Sequence, residues 1–202
     1  MDADRLKWNR RYASAPSYLG GAAAQFLRRQ MATLQRLAPG QRALDVACGE
    51  GRNAVFLAQN GFRVTGVDIS DIGIAKAERL ALEQGVAVEF RRIDLDGYQI
   101  AEQYDVIVNC NFLLRDLIPE EVKALAPGGL LLFDTLLASP QLSAHNPDYL
   151  LRQGELDRTF RKFAGDILCS EESTAGEIPT ARLLFRKQLT RQSGQGAASQ
   201  AA

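Results

Sequence analysis

With 202 residues, 46% of them hydrophobic, the chain can bury one sizeable core. Its 24 lysines and arginines balance its 24 aspartates and glutamates, which argues against binding nucleic acid on a broad cationic face. Cys48, Cys110, Cys169 and the single histidine, His145, form no C-x-x-C or Cys/His cluster, so neither a metal site nor a disulfide framework is expected.

Taken in order, residues 2–15 are polar but carry Trp8 and Tyr12 at helical spacing. This is either a helix packed on the body or a lid over a ligand. Residues 21–37 follow, with Phe26, Leu27, Met31, Leu34 and Leu37 on one helical face, and Pro39-Gly40 ends them. Residues 43–47 read as a first strand, Gly49-Glu50-Gly51 as a bend and 53–60 as a crossover helix, with Gly61 as its C-terminal cap. The second strand, 63–69, ends on Asp68, and Ser70 is the expected N-cap of a helix over 71–84. Residues 86–93 read as the third strand, followed by Asp94-Leu95-Asp96; 104–108 read as the fourth, ending at Asn109. A helix is expected over 112–126, interrupted at Pro119, where Pro119-Glu120-Glu121 reads as a fresh helix start, and a fifth strand over 128–133, ending on Asp134.

Residues 137–163 lack the strand signature of their neighbours and read as an insertion ending in a short amphipathic piece. Residues 166–171 and 181–187 read as late strands. Their link is too short for a crossover helix, so they should be antiparallel. The result is an α/β, Rossmann-like, doubly wound sheet of seven strands, mostly parallel with an antiparallel last strand. A single domain is expected over 1–190, with a disordered Ser/Gln/Gly/Ala tail at 191–202. No apolar run could span a bilayer, and the opening residues lack the apolar core of a signal peptide. The expectation is a cytoplasmic monomer or homodimer with reduced thiols, and with neither nucleic acid nor membrane as a partner.

Ligands of such sheets bind outside the carboxyl ends of the strands. Gly49/Gly51, Asp68, Asp94 and Asn109 follow the first four strands in turn. Asp68 lies where an acidic residue accepts ribose hydroxyls, about 20 residues past the glycine bend. A dinucleotide cofactor is disfavoured by Ala54 in place of the third glycine and by Asp45, whose carboxylate suits a cationic ligand better than a pyrophosphate.

Leu44-Asp-Val-Ala-Cys-Gly-Glu-Gly51 resembles motif I of class I S-adenosylmethionine-dependent methyltransferases, and Val64-Thr-Gly-Val-Asp-Ile69 resembles the acidic-loop motif that follows it. Asp94-Leu95 resembles the adenine-contact motif, and Tyr104-Asp-Val-Ile-Val108 and Leu125-Ala-Pro-Gly-Gly-Leu130 the fourth- and fifth-strand motifs. Trp8-Asn-Arg-Arg-Tyr12 and Gly49-Glu-Gly-Arg-Asn-Ala54 are similar to the branch containing tellurite-resistance and other small-molecule methyltransferases.

The resemblance implies a methyltransferase that uses S-adenosylmethionine on a small-molecule acceptor. Asp45, Ala47, Gly49 and Gly51 would surround the methionine moiety, with Asp45 on its ammonium. Asp68 would take the ribose, Ile69 would pack on the adenine, and Asp94 would accept the adenine amino group beside Leu95. Asn109 would close the methionine side through its carbonyl, and Arg11 or Tyr12 would meet the carboxylate. On the acceptor side stand Trp8, Asn111, Arg115, His145 and Tyr149. No catalytic base is identified: His145 reads as solvated and Cys110 as packing. Arg115 either binds an anionic acceptor or pairs with Asp116 at the surface, the surface pair being favoured. The alternatives are an inactive S-adenosylmethionine-binding module and a nicotinamide-dinucleotide oxidoreductase.

Overall fold

The computed structural model describes residues 2–18, 20–174 and 178–189. The expected tail, 191–202, lies outside the described residues. The chain opens with α1 (Asp2–Ala13) and α2 (Gln25–Leu37), then alternates β1 (Arg42–Val46), α3 (Arg52–Gln59), β2 (Arg63–Asp68), α4 (Asp71–Glu83), β3 (Val88–Arg92) and β4 (Tyr104–Cys110). It continues through α5 (Ile118–Ala124), β5 (Leu125–Leu136) and α6 (Glu155–Phe160) to the hairpin strands β6 (Gly165–Ser173) and β7 (Thr180–Lys187).

The seven strands form one sheet in the order β3-β2-β1-β4-β5-β7-β6. The pairs from β3 through β5 are parallel, and β7 runs antiparallel to both β5 and β6. The short link between β6 and β7 permits only that pairing, as the sequence predicts.

Each sheet face has its own core. Phe26, Leu27, Met31 and Leu34 of α2 and Ala54 and Leu57 of α3 pack with Val106, Val108, Leu130 and Leu132. Ile118 and Val122 of α5 and Leu156 and Phe160 of α6 pack with Ile107, Leu131, Phe133 and Phe185. Alternate strand residues feed opposite faces, so both faces are apolar and the polar positions collect at the strand ends. Local signals hold at several corners: Ser70 Oγ accepts the Gly73 N–H at 3.0 Å to cap α4, and Gly61 follows α3 at φ 90°.

Two expectations are corrected. The helix predicted over 112–126 is a single 3-10 turn, Arg115–Leu117, followed by the short α5. Pro119 has no N–H and is tolerated in the first turn of a helix, so α5 starts there, at the fresh start that Pro119-Glu120-Glu121 predicts, while the part of the expected helix ahead of it is not formed. β5 then begins at Leu125, which pairs with Tyr104 ahead of a register shift, and extends beyond the predicted 128–133 at both ends. The segment from 137 to 154 is built of two 3-10 turns, Pro140–Leu142 and Pro147–Tyr149, closed by a bridge between Leu137 and Leu151. Among the described residues no helix is long and apolar enough to cross a membrane.

Candidate functional site

The carboxyl ends of β1, β2, β3 and β4 converge on one rim of the sheet. β1 leaves the sheet through Ala47 at φ 50°, Gly49 at φ 55° and Gly51 at φ 81°. Left-handed backbone of this kind costs a residue with a side chain, and at two positions space also demands glycine. A Cβ at Gly49 would lie 2.6 Å from Tyr12 Oη, and one at Gly51 would lie 2.7 Å from Ala77 Cβ, where α3 approaches α4.

Asp68, buried at the end of β2, ties this turn to the next corner. Its Oδ2 accepts the Gly49 N–H at 2.9 Å and its Oδ1 accepts the Ser70 N–H at 2.8 Å. Burial raises its pKa, and these backbone donors oppose the rise. Asp45 lies deeper. Burial pushes its carboxyl up to about 8 against the Ala54 N–H and the Arg52 charge, and its Oδ2 has no hydrogen-bond partner. A buried carboxylate oxygen without a donor is costly and suits a cationic ligand. At the end of β3, half-buried Asp94 accepts the Asp96 N–H at 3.1 Å, which closes a tight turn beside buried Leu95; Ile69 is half-buried.

α1 roofs this rim. Tyr12 is buried against Gly49 and Gly73, stacks on Trp8 at 5.7 Å, and has its hydroxyl pKa raised by burial and by Asp68. Asn9 Oδ1 accepts the Ser70 hydroxyl at 2.6 Å, and Arg5 pairs with Asp71 at 3.0 Å, so α1 sits on the start of α4. Arg11 lies 4.9 Å from the Trp8 ring centroid. Lys7 lies 5.0 Å from the Tyr149 ring centroid, a contact between α1 and the segment after β5.

The β4 side is built differently. The Asn109 side chain points toward α5, where its amide donates to Glu121 Oε1 at 2.7 Å. Glu121 is fully buried and pushed up to about 8 by that burial, and both its Oε2 and Asn109 Oδ1 lack partners. Asn111 is exposed, in left-handed backbone at φ 59°, and donates its N–H to the Asp134 carbonyl at 2.7 Å.

The favoured Arg115–Asp116 surface pair is corrected. Arg115 reaches across to Glu155 at 2.6 Å and donates to the carbonyls of Asp148 at 2.8 Å and Leu150 at 2.9 Å. Its fork of donors matches a carboxylate and two carbonyls together, which adjacent Asp116 could not offer. His145 and Tyr149 are exposed and Cys110 is buried. No group of three or more metal-binding side chains occurs among the described residues.

Sequence reasoning missed three features. Glu121 follows Pro119 in an acidic first turn, a pattern that reads as a solvated helix start. Glu50 was read only as part of the glycine bend, yet it pairs with Lys76 at 2.9 Å. Asp134, at the crest of β5, pairs with Arg182 of β7 at 3.3 Å. No local signal announces any of these partners.

A parallel sheet whose one reversed strand enters between two others, with a glycine turn and two acidic corners on its rim, is a Rossmann-like α/β methyltransferase fold. The chain carries, over residues 43–129, a match to the family model described as a methyltransferase domain. It is 33% identical over 137 residues to the ubiquinone biosynthesis O-methyltransferase of Pseudomonas entomophila (strain L48), covering 61% of this chain and 58% of that one. The Pseudomonas fluorescens (strain Pf0-1) protein of the same name is 34% identical over 109 residues, covering 50% and 47%. The chain thus spans roughly half the length of the curated relatives it matches. In fold it is similar to TehB from Haemophilus influenzae, with TM-score 0.65, 22% identity and coverage of 79% of this chain and 62% of that one. It is also similar to the magnesium protoporphyrin IX methyltransferase ChlM of Synechocystis PCC 6803, with TM-score 0.67, 17% identity and coverage of 93% and 99%.

Proposed function

We propose that the chain transfers a methyl group from S-adenosylmethionine to a small-molecule acceptor. The observation that carries this reading is the buried Asp45 oxygen without a donor, on the strand β1 that leads into the glycine turn. It fits the ammonium of the donor's methionine moiety, whose positive charge would draw the buried carboxyl back to its ionised form. When bound, the donor supplies a sulfonium methyl that is already activated for in-line displacement.

The residues of the chain then have positioning tasks. Asp68, fixed by two backbone donors, retains lone pairs for ribose hydroxyls. Asp94 accepts the adenine amino group, while Ile69 and Leu95 flank the ring. Ala47, Gly49 and Gly51 bring backbone against the methionine portion, and the Asn109 carbonyl closes its far side. Tyr12 covers the turn and excludes water, which strengthens the field on the reacting groups. Alignment of this kind supplies about 7–11 kcal/mol of a displacement barrier. Trp8, Asn111, His145 and Tyr149 border the acceptor side; Arg115 serves that side by holding the 148–155 segment in place.

The test is a panel of phenols, carboxylates, amines, thiols and chalcogen oxyanions, with detection of S-adenosylhomocysteine. Phenols head it because the similar Pseudomonas proteins are named as O-methyltransferases. Acceptor-dependent release of S-adenosylhomocysteine is expected. Tight S-adenosylhomocysteine binding with no turnover on any acceptor would favour an inactive binding module, and NADH binding in its place would favour an oxidoreductase.

A further inference from the structure

The ammonium of Lys76, on α4, sits in a cage of acceptors that the methyl-transfer reading leaves unexplained. It donates to the carbonyls of Tyr12 at 2.5 Å, Ala15 at 2.6 Å and Pro16 at 3.2 Å, and to Glu50 Oε1 at 2.9 Å. The second carboxylate oxygen of Glu50 accepts the Tyr18 N–H at 2.7 Å and the Ser17 hydroxyl at 3.3 Å. The Lys76 and Glu50 side chains are only 25% and 10% exposed, so water screens the pair far less than an ordinary surface ion pair.

Three parts of the molecule meet at this one cation. The end of α1 and the segment after it supply carbonyls that have no further helix to bond them. Glu50 stands between Gly49 and Gly51, so its backbone belongs to the turn against which the donor is proposed to lie, while its side chain faces the lid. Lys76 itself is one turn beyond Gly73, against which Tyr12 packs. Tyr12 lies against Gly49, and lifting the end of α1 away from the turn would pull the Tyr12 carbonyl off Lys76.

We propose that Lys76 and Glu50 are positioning residues that latch α1 over the glycine turn and set the rate of donor and product exchange. The latch rests on the proposed reading of the rim as the donor site. It also couples lid and turn: a turn displaced by ligand moves Glu50, and with it the carboxylate that orients Lys76.

The experiment uses the full chain with Lys76→Met, Lys76→Arg and Glu50→Gln. Trp8, the only tryptophan, stacks on Tyr12 and reports the lid by its fluorescence. Stopped-flow release of S-adenosylhomocysteine should be about tenfold faster in Lys76→Met, with a smaller increase in Glu50→Gln and partial rescue in Lys76→Arg. The double variant Lys76→Met/Glu50→Gln should be no faster than Lys76→Met alone, because the two act as one unit. In the ligand-free protein, amide exchange over residues 3–18 should accelerate in Lys76→Met while the core strands keep their protection. A release rate within twofold of the parent protein, with binding intact, would overturn the latch and leave the donor site standing. Absence of S-adenosylhomocysteine binding in the parent protein would instead remove the donor reading. Exchange over 3–18 unchanged by Lys76→Met would overturn the latch independently of any ligand.

Discussion

On the β1–β2 side of the rim, polar side chains are answered by nearby backbone. Asp68 is held by the N–H groups of Gly49 and Ser70, Asp94 by that of Asp96, and Asp45 by that of Ala54. On the β4–β5 side they are answered by distant side chains and carbonyls. Arg115 meets Glu155, Asp148 and Leu150, Asn109 meets Glu121, and Asp134 meets Arg182. The first construction is fixed once strand, turn and helix form. The second depends on tertiary packing, and for Arg115 on how the segment from 137 to 155 folds back. A site for one constant ligand and a site for a variable one would be expected to differ in this way.

The comparison breaks most easily at Asp68. On the proposed reading Asp68→Ala removes two charge-assisted contacts to a ribose, each worth about 1.5–3 kcal/mol, so S-adenosylhomocysteine affinity should fall by more than about 100-fold. Calorimetry decides this, with Asp68→Asn as a variant that keeps the acceptor to one backbone N–H. Unchanged affinity in both would mean that the backbone-held side is only structural.

Arg115→Ala should act on the other side alone. Loss of its bonds to Glu155 and to two carbonyls frees the 148–155 segment, so acceptor KM should rise roughly tenfold, about 1.4 kcal/mol. S-adenosylhomocysteine affinity should stay within twofold. Parallel losses of acceptor and donor binding would show that the two sides are not separable.

An effect of pH sharpens the join between the sides. Glu121 has a folded pKa of about 8 against an ordinary value of 4.5. Between these values the unfolded chain releases a proton that the folded chain keeps, so rising pH destabilises the fold by up to about 1.4 kcal/mol per unit. Glu121→Gln preserves an acceptor for the Asn109 amide and removes the titration. Its melting temperature should match the parent near pH 5 and exceed it at pH 8, at about 2–4 °C per kcal/mol. A difference that does not vary with pH would mean that Glu121 does not titrate in this range.

What the sequence made legible follows the same division. The glycine turn, the Ser70 cap and the carboxyl-end placement of Asp68 and Asp94 each depend on a few consecutive residues, and the corresponding backbone lies where those residues direct it. Arg115 was misread because Glu155 lies 40 positions away, beyond a segment with no periodicity. Glu121 was missed because a buried acid and a solvated one look alike after a proline. β5 was cut short because Ala126-Pro127-Gly128 reads as a turn, yet Leu125 already pairs with Tyr104 and Gly128 bends at φ 77° without leaving the strand.

The unanswered oxygen of Asp45 has a consequence for the life of the protein. Like Asn109 Oδ1 and Glu121 Oε2 it is a buried polar atom without a partner, and the folded state is the weaker for it. A bound cation that supplies the partner stabilises the fold by the same interaction that holds the ligand. Under the proposed function, the supply of methyl donor would therefore govern how long each molecule survives proteolysis as well as how fast it works. A cell short of donor would retain fewer copies of an enzyme it could not use.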